Sequence, residues 1–210
     1  MEIVDEAKLL GTIITSDMKW NKNTQKIVQN ANLKMRMLHI ASKFVKNKSD
    51  LLHIYKTFIR SRLEYSCVLW HSSLSKRNDS DIERIQKSAM KVILKDKYVD
   101  YESALELLDL DSLHERRAKL CLKFAKKCLK IENLKKLFPY KKTKHDMKKR
   151  KYEKFFISNI NTERYKRSAV PEMKRMLNEE ELKMRKAMKT ISSSMSPENI
   201  VNFNPISVKI

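Results

Sequence analysis

The chain has 210 residues, 41% of them apolar, and carries 46 Lys and Arg against 25 Asp and Glu for a net charge of +21. That is apolar material for one domain or two small ones, and the basic excess asks for an anionic partner, either nucleic acid or an acidic membrane surface. The single glycine, Gly11, excludes every phosphate cradle or dinucleotide fingerprint built on Gly-rich loops, and no run of about 18 apolar residues offers a helical membrane span.

The charge is uneven. Residues 1–78 hold 14 basic and 6 acidic groups, 79–138 hold 14 and 11, and 139–210 hold 18 and 8. A chain nearly free of glycine and rich in Lys, Leu, Met and Glu is a helical chain. Glu2, Asp5 and Glu6 run against the basic start of a secretory leader. Three scattered cysteines, an odd number, suit a reducing compartment. The expectation is an intracellular protein, nuclear or cytoplasmic, and not secreted.

In chain order, Lys8 to Ile14 is apolar and β-branched around Gly11 and predicts a short strand pair or hairpin. Asn21 or Asn23 is placed to cap a helix with Ile27, Val28, Ala31, Met35, Leu38, Ala41 and Val45 inward. Its outer face would hold Lys22, Lys26, Lys34, Arg36, Lys43 and Lys46. Ser49 reads as the next N-cap, with Leu51, Leu52, Tyr55, Phe58 and Ile59 buried. Whether Leu63 to Trp70 continues that helix or starts another stays open. Asp79 or Ser80 would cap a helix burying Ile82, Ile85, Ala89, Val92 and Ile93. A short helix over Tyr101 to Leu108 follows.

Ser112 and Glu115 then form a capping box, opening a helix with Leu113, Leu120, Cys121, Phe124, Ala125 and Cys128 as its stripe. Beyond Pro139, basic residues dominate to Lys154. Arg164 to Arg185 reads as a helix interrupted at Pro171, and the tail after Ser192 as disordered.

Two blocks stand out within this pattern: Leu63-Glu64-Tyr65 with Trp70-His71, and Glu83-Arg84-Ile85-Gln86-Lys87 with Ala89. Together they resemble the region after the palm in reverse transcriptases of non-LTR (LINE-type, jockey/CR1-like) retrotransposons. Leu10-Gly11-Thr12 followed by Trp20 is similar to the primer grip of that family, with Leu9 where tyrosine is usual. Tyr55, Phe58, Ile59 and Arg60 resemble its thumb helix, and Leu110, Leu113, Arg116 and Arg117 its "leucine … double arginine" helix. Asn161 to Tyr165, Ser168 to Pro171 and Met176-Leu177-Asn178 resemble its closing segment, so the likeness spans roughly residues 7 to 182.

The resemblance implies a mainly α fold: a primer-grip-like strand pair (1–20), a thumb-like helical domain (21–97), post-thumb helices (98–138), a basic C-terminal region (139–191) and a disordered tail (192–210). It implies a fragment of an RNA-directed DNA polymerase that holds an RNA/DNA primer–template duplex and partners an upstream palm domain or its separate chain. Leu10, Gly11 and Thr12 would face the primer end. Lys26, Lys34, Arg36, Arg60, Arg62, Arg84, Lys87, Arg116 and Arg117 would face phosphates. Arg116 and Arg117 are about 100° apart on a helix, so at most one meets a given partner squarely.

Polymerisation needs two metal ions held by aspartates, yet no Asp-Asp pair occurs. Asp79 with Asp81, and Asp109 with Asp111, sit at or between helix starts, where capping accounts for them. No catalytic residue, metal or cofactor is therefore expected here, magnesium belonging to the palm. Convergence of Cys121 and Cys128 with His114 or His145 would make a metal site, but the spacing fits no zinc knuckle and core cysteines fit better. Trp20 and Trp70 read as core anchors before base-stacking platforms. Lys148-Lys149-Arg150-Lys151 is either a nuclear import run or a solvated basic loop. The lysine-rich outer face shows no aromatic or leucine wedges, which ranks membrane binding last. The rival to the polymerase reading is a domesticated or degenerate basic helical protein that binds nucleic acid or acidic partners without sequence preference.

Overall fold

Strands β1 (Glu6–Leu9) and β2 (Thr12–Thr15) pair antiparallel with Leu9 opposite Thr12, leaving the two-residue loop Leu10-Gly11. Both loop residues have positive φ, +47° and +85°. That is the turn whose twist matches a hairpin, and glycine adopts it without a Cβ penalty. A computed structural model describes residues 4–141, 154–158 and 162–194. Over these the chain is mainly helical, with the hairpin at its N-terminal end.

Helix α1 (Asn21–Phe44) buries Ile27, Ala31, Met35 and Leu38. Neither expected asparagine caps it, because Trp20 occupies the cap position without a side-chain bond. Asn23 is buried instead, and its Oδ1 accepts the Ile13 N–H at 3.2 Å, fastening hairpin to helix.

Helix α2 (Lys48–Ile54) is capped by Asn47 rather than Ser49 and runs through a π-helical stretch, Tyr55–Arg60, into α3 (Ser61–Leu63). Leu51, Tyr55, Ile59 and Leu63 are all at most 1% exposed. On a regular helix a four-residue period drifts about 40° per step. A π turn, with its wider i→i+5 spacing, offsets that drift and keeps all four on the core. Phe58 falls off this line and is half exposed, contrary to its expected place. Ser66, at φ +53°, then breaks the chain, so Leu63 to Trp70 is not one helix; α4 (Cys67–Trp70) follows.

Ser75, not Asp79 or Ser80, caps α5 (Lys76–Leu94) by accepting the Asn78 N–H at 3.2 Å. Asp100 caps α6 (Tyr101–Leu107), and the Ser112/Glu115 box opens α7 (Leu113–Cys128) as its residues predict. Phe124, expected inside, is 41% exposed. Two short helices follow, α8 (Glu132–Lys135) and α9 (Glu163–Lys166), and then α10 (Ala169–Ser194). Pro171 does not interrupt this last helix but lies in its first turn, where backbone N–H groups have no intrahelical acceptor and proline costs nothing.

The larger core joins α1, the α2–π–α3 run, α4, α5 and α6 to the start of α7. A smaller one gathers Ala125, Cys128, Phe138, Phe155, Met173 and Leu177 between α7 and α10. Asn178 closes it by accepting the Phe155 N–H at 2.9 Å and donating to the Phe155 carbonyl at 3.1 Å. Among the described residues no helix is long and apolar enough to cross a membrane. Lys148 to Lys151, His145 and the tail from 195 onward lie outside the described residues.

Candidate nucleic-acid interface

The hairpin tip is held from below by Tyr65, whose hydroxyl donates to the Leu10 carbonyl at 2.6 Å. A Cβ on Gly11 would lie 3.7 Å from the Tyr65 ring, an ordinary contact, so backbone conformation rather than space selects glycine here. Leu9, Leu10 and Gly11 face solvent. Thr12, the third residue expected at the primer end, is 3% exposed and turns inward beside α1. Its strand alternates faces, and the tip can offer only one of them. Trp70 Nε1 donates to the Tyr65 carbonyl at 3.1 Å, so the chain segment under the tip is itself braced from the core.

Polar clusters lie behind this clasp. Glu64 Oε1 accepts from Arg116 Nε at 2.5 Å and lies 3.9 Å from Arg60 Nε. Burial, reinforced by the neighbouring Arg116 charge, lowers the Arg60 pKa. Arg117 is fully buried: Nη2 donates to Asp79 Oδ1, Nε lies 3.5 Å from His71 Nδ1, and the guanidinium sits over the Trp70 ring. Asp79 Oδ2 also meets His114 Nδ1 at 3.0 Å. Burial, followed by the charge of Arg117, pushes the His71 imidazole down to about 4.

A second knot joins α5 to α6 and α7. Glu83 Oε1 accepts from the Tyr101 hydroxyl and from Leu113 N–H. Gln86, with no exposed surface, accepts the Tyr55 hydroxyl at 2.5 Å and donates to Tyr101 Oη at 2.9 Å and the Asp111 carbonyl at 3.0 Å.

Several expected phosphate contacts are thereby reassigned. Arg117 is a core residue whose charge is spent on Asp79. Arg60 and Arg116 converge on Glu64, 15% and 33% exposed at their side chains. Both tryptophans are buried, as a core role predicts. Lys26, Arg36 and Arg62 remain exposed, with no ion pair among the described residues. Arg84 is exposed and pairs with Asp81 at 2.5 Å, and Lys87 Nζ lies over the Tyr101 ring at 4.6 Å. Lys34 is half-buried, its Nζ 4.0 Å from Met37 Sδ. Lys26 stands one turn along α1 from Lys22, which bonds Glu6 of β1 at 2.6 Å. Arg62 stands one turn before Tyr65.

The acidic pairs are structural. Asp79 and Asp81 serve Arg117 and Arg84, Asp111 bonds Lys119 at 2.6 Å, and Asp109 takes a left-handed turn position at φ +49°. Among the described residues no group of three or more His, Cys, Asp or Glu could hold a metal ion. Cys121 meets Cys67 rather than Cys128; the shared thiol hydrogen bond pushes Cys121 up and Cys67 down. A cleft of about 300 Å³ opens beside His71, Ser72, Asp79, His114 and Glu172.

Sequence reasoning missed one surface. Leu33, Met37, Ile40 and Phe44 are 52–79% exposed on α1, so the lysine-rich face does carry apolar wedges. Their 4-3-4 spacing was readable, but it interleaves with the stronger inward stripe. No protein-family model, characterised protein or solved structure matches the chain.

Proposed function

We propose that the chain is the duplex-gripping part of a non-LTR-type reverse transcriptase. It would hold an RNA/DNA primer–template by its backbone phosphates while the metal-binding aspartates act from a palm elsewhere. One observation carries this reading. The residues behind the likeness, far apart in sequence, meet in space: the Leu10-Gly11 tip on Tyr65, Glu64 on Arg116, Trp70 on Arg117, and Gln86 on Tyr55. Motif residues that serve one another are what a shared ancestral scaffold requires, and chance matches to a pattern have no reason to converge.

On this reading the polar clusters stiffen the hairpin, and the cations they leave free face the duplex. Lys26 and Arg62 are exposed without an ion pair among the described residues, with Arg36, Arg84, Lys87 and Lys34 contributing field. Such contacts read no bases and are sequence-independent. The test is binding of a labelled RNA/DNA hybrid with a recessed 3′ end, followed by anisotropy against salt. With about six phosphates neutralised, affinity falls on the order of 10³-fold between 50 and 200 mM salt. A slope near zero ends the proposal, and extension of the primer by this chain alone with Mg²⁺ and nucleotides ends the division of labour.

A further inference from the structure

Helix α1 presents two apolar lines. One is the core stripe. The other, Leu33, Met37, Ile40 and Phe44, lies on the solvent side, and none of the described residues covers it. At 100° per residue these four positions fall within about 60° of one another. Together they expose roughly 400 Å² of apolar surface, the size at which a patch on a monomer marks a contact site. The 4-3-4 spacing is that of alternating a and d positions in a coiled-coil seam.

The shape and the rim select the occupant. Lipid insertion favours a broad apolar face, whereas a line this narrow matches the seam a single partner helix fills. Arg36 and Lys43 border the line on one side and Lys34 on the other, and α1 contains no Asp or Glu anywhere in its 24 residues. Those are the flanking positions whose charges choose partners in helix pairing. A second copy of this chain would bring cation against cation in either orientation, so self-pairing is opposed. We propose that the outer face of α1, from Leu33 to Phe44, docks an amphipathic helix with a 4-3-4 apolar seam bordered by carboxylates. The seam lies C-terminal to Lys26 on α1; its rim cations Arg36 and Lys34 are shared with the field proposed for the duplex, whereas its apolar residues Leu33, Met37, Ile40 and Phe44 are not.

The test uses the full chain and two fluorescein-labelled 28-residue amphipathic peptides with identical Leu/Ile seams, one bordered by Glu and the other by Lys. The Glu peptide is expected to bind at least tenfold more tightly than its Lys twin. Ile40→Ser and Phe44→Ser should each weaken it at least tenfold while leaving the melting temperature and RNA/DNA hybrid affinity unchanged; both side chains are exposed. Equal affinity for the twins, no binding of either at 100 µM, or binding indifferent to the two substitutions overturns the proposal. Flotation with phosphatidylserine vesicles forms the other arm. Vesicle binding that is abolished by the same substitutions and exceeds peptide binding assigns the face to a membrane and also overturns it. Loss of hybrid binding in the unsubstituted chain would sink the polymerase reading while leaving this one standing.

Discussion

Replacing Gln86 by methionine keeps the side chain's length and near its volume but removes all three of its hydrogen bonds. Tyr55, with no exposed surface, loses the acceptor of its hydroxyl, and the Asp111 carbonyl loses its Gln86 donor. Tyr101 is protected because its hydroxyl still donates to Glu83. Two orphaned groups at about 1–3 kcal/mol each, one fully buried and one partly, predict a loss of about 3 kcal/mol. For a chain of this size that lowers the melting temperature by about 6–12 °C. Tyr55→Phe alone orphans Gln86 Oε1 and costs about 1–2 kcal/mol.

The double variant is the sharper measurement. Phenylalanine removes the hydroxyl that methionine left stranded, so Gln86→Met with Tyr55→Phe should be no less stable than Gln86→Met alone, giving a coupling of about 1–2 kcal/mol. Burial pushes the Tyr55 phenol well above its ordinary range, so it stays a donor throughout the accessible pH. Urea unfolding followed by far-ultraviolet circular dichroism reads all four corners of the cycle. A Gln86→Met cost below 1 kcal/mol, or additive single costs, would show that the hub is not closed as described.

Three further outcomes are expected. His71 is neutral in the folded chain down to about pH 4, while an unfolded histidine takes its proton near 6.5, so the unfolded state binds more protons between these values. Stability therefore falls as pH drops from 6.5 to 4, by on the order of 3 kcal/mol; His71→Asn should flatten that part of the pH–stability curve, and an unchanged curve would refute the assignment. Gly11→Ala forces a Cβ onto φ +85° and should cost about 1–2 kcal/mol of hairpin stability, whereas Tyr65→Phe frees the tip; both should weaken hybrid binding, and hybrid affinity indifferent to both would detach the tip from the duplex. Arg117→Met leaves Asp79 with His114 alone and should cost about 3 kcal/mol without altering the salt slope, while Arg62→Ala should leave unfolding unchanged and lower the slope by about 0.9; the opposite pattern would reverse their roles.

The helical character, the hairpin around Gly11, the Ser112/Glu115 box and the inward stripe of α1 were legible because each rests on local periodicity or a local cap. The caps of α1, α2 and α5 lie one to five residues from their expected places: Trp20 opens α1 without a side-chain bond, and Asn47 and Ser75 take the other two ends from neighbouring polar side chains. Phe58 was misread because its neighbours follow a four-residue period that only a π turn keeps on one face. Among the candidate phosphate contacts, Lys26, Arg36 and Arg62 are exposed as expected, but Arg117 is in the core. Its place four residues after Leu113 and four before Cys121 puts it on the apolar stripe of α7, and the approach of Asp79, 38 residues away, supplies the carboxylate that pairs its charge there.

By itself the amino-acid order determined the basic charge, the near-exclusion of glycine-dependent folds and the amphipathic helices. These follow from side-chain chemistry and short-range spacing, which no tertiary contact can alter. The folded chain decided which charges are free, because a cation is available to a partner only if no carboxylate from another element has reached it first. It also decided that α1 keeps a second apolar line in water, since a helix can bury only the face its neighbours cover.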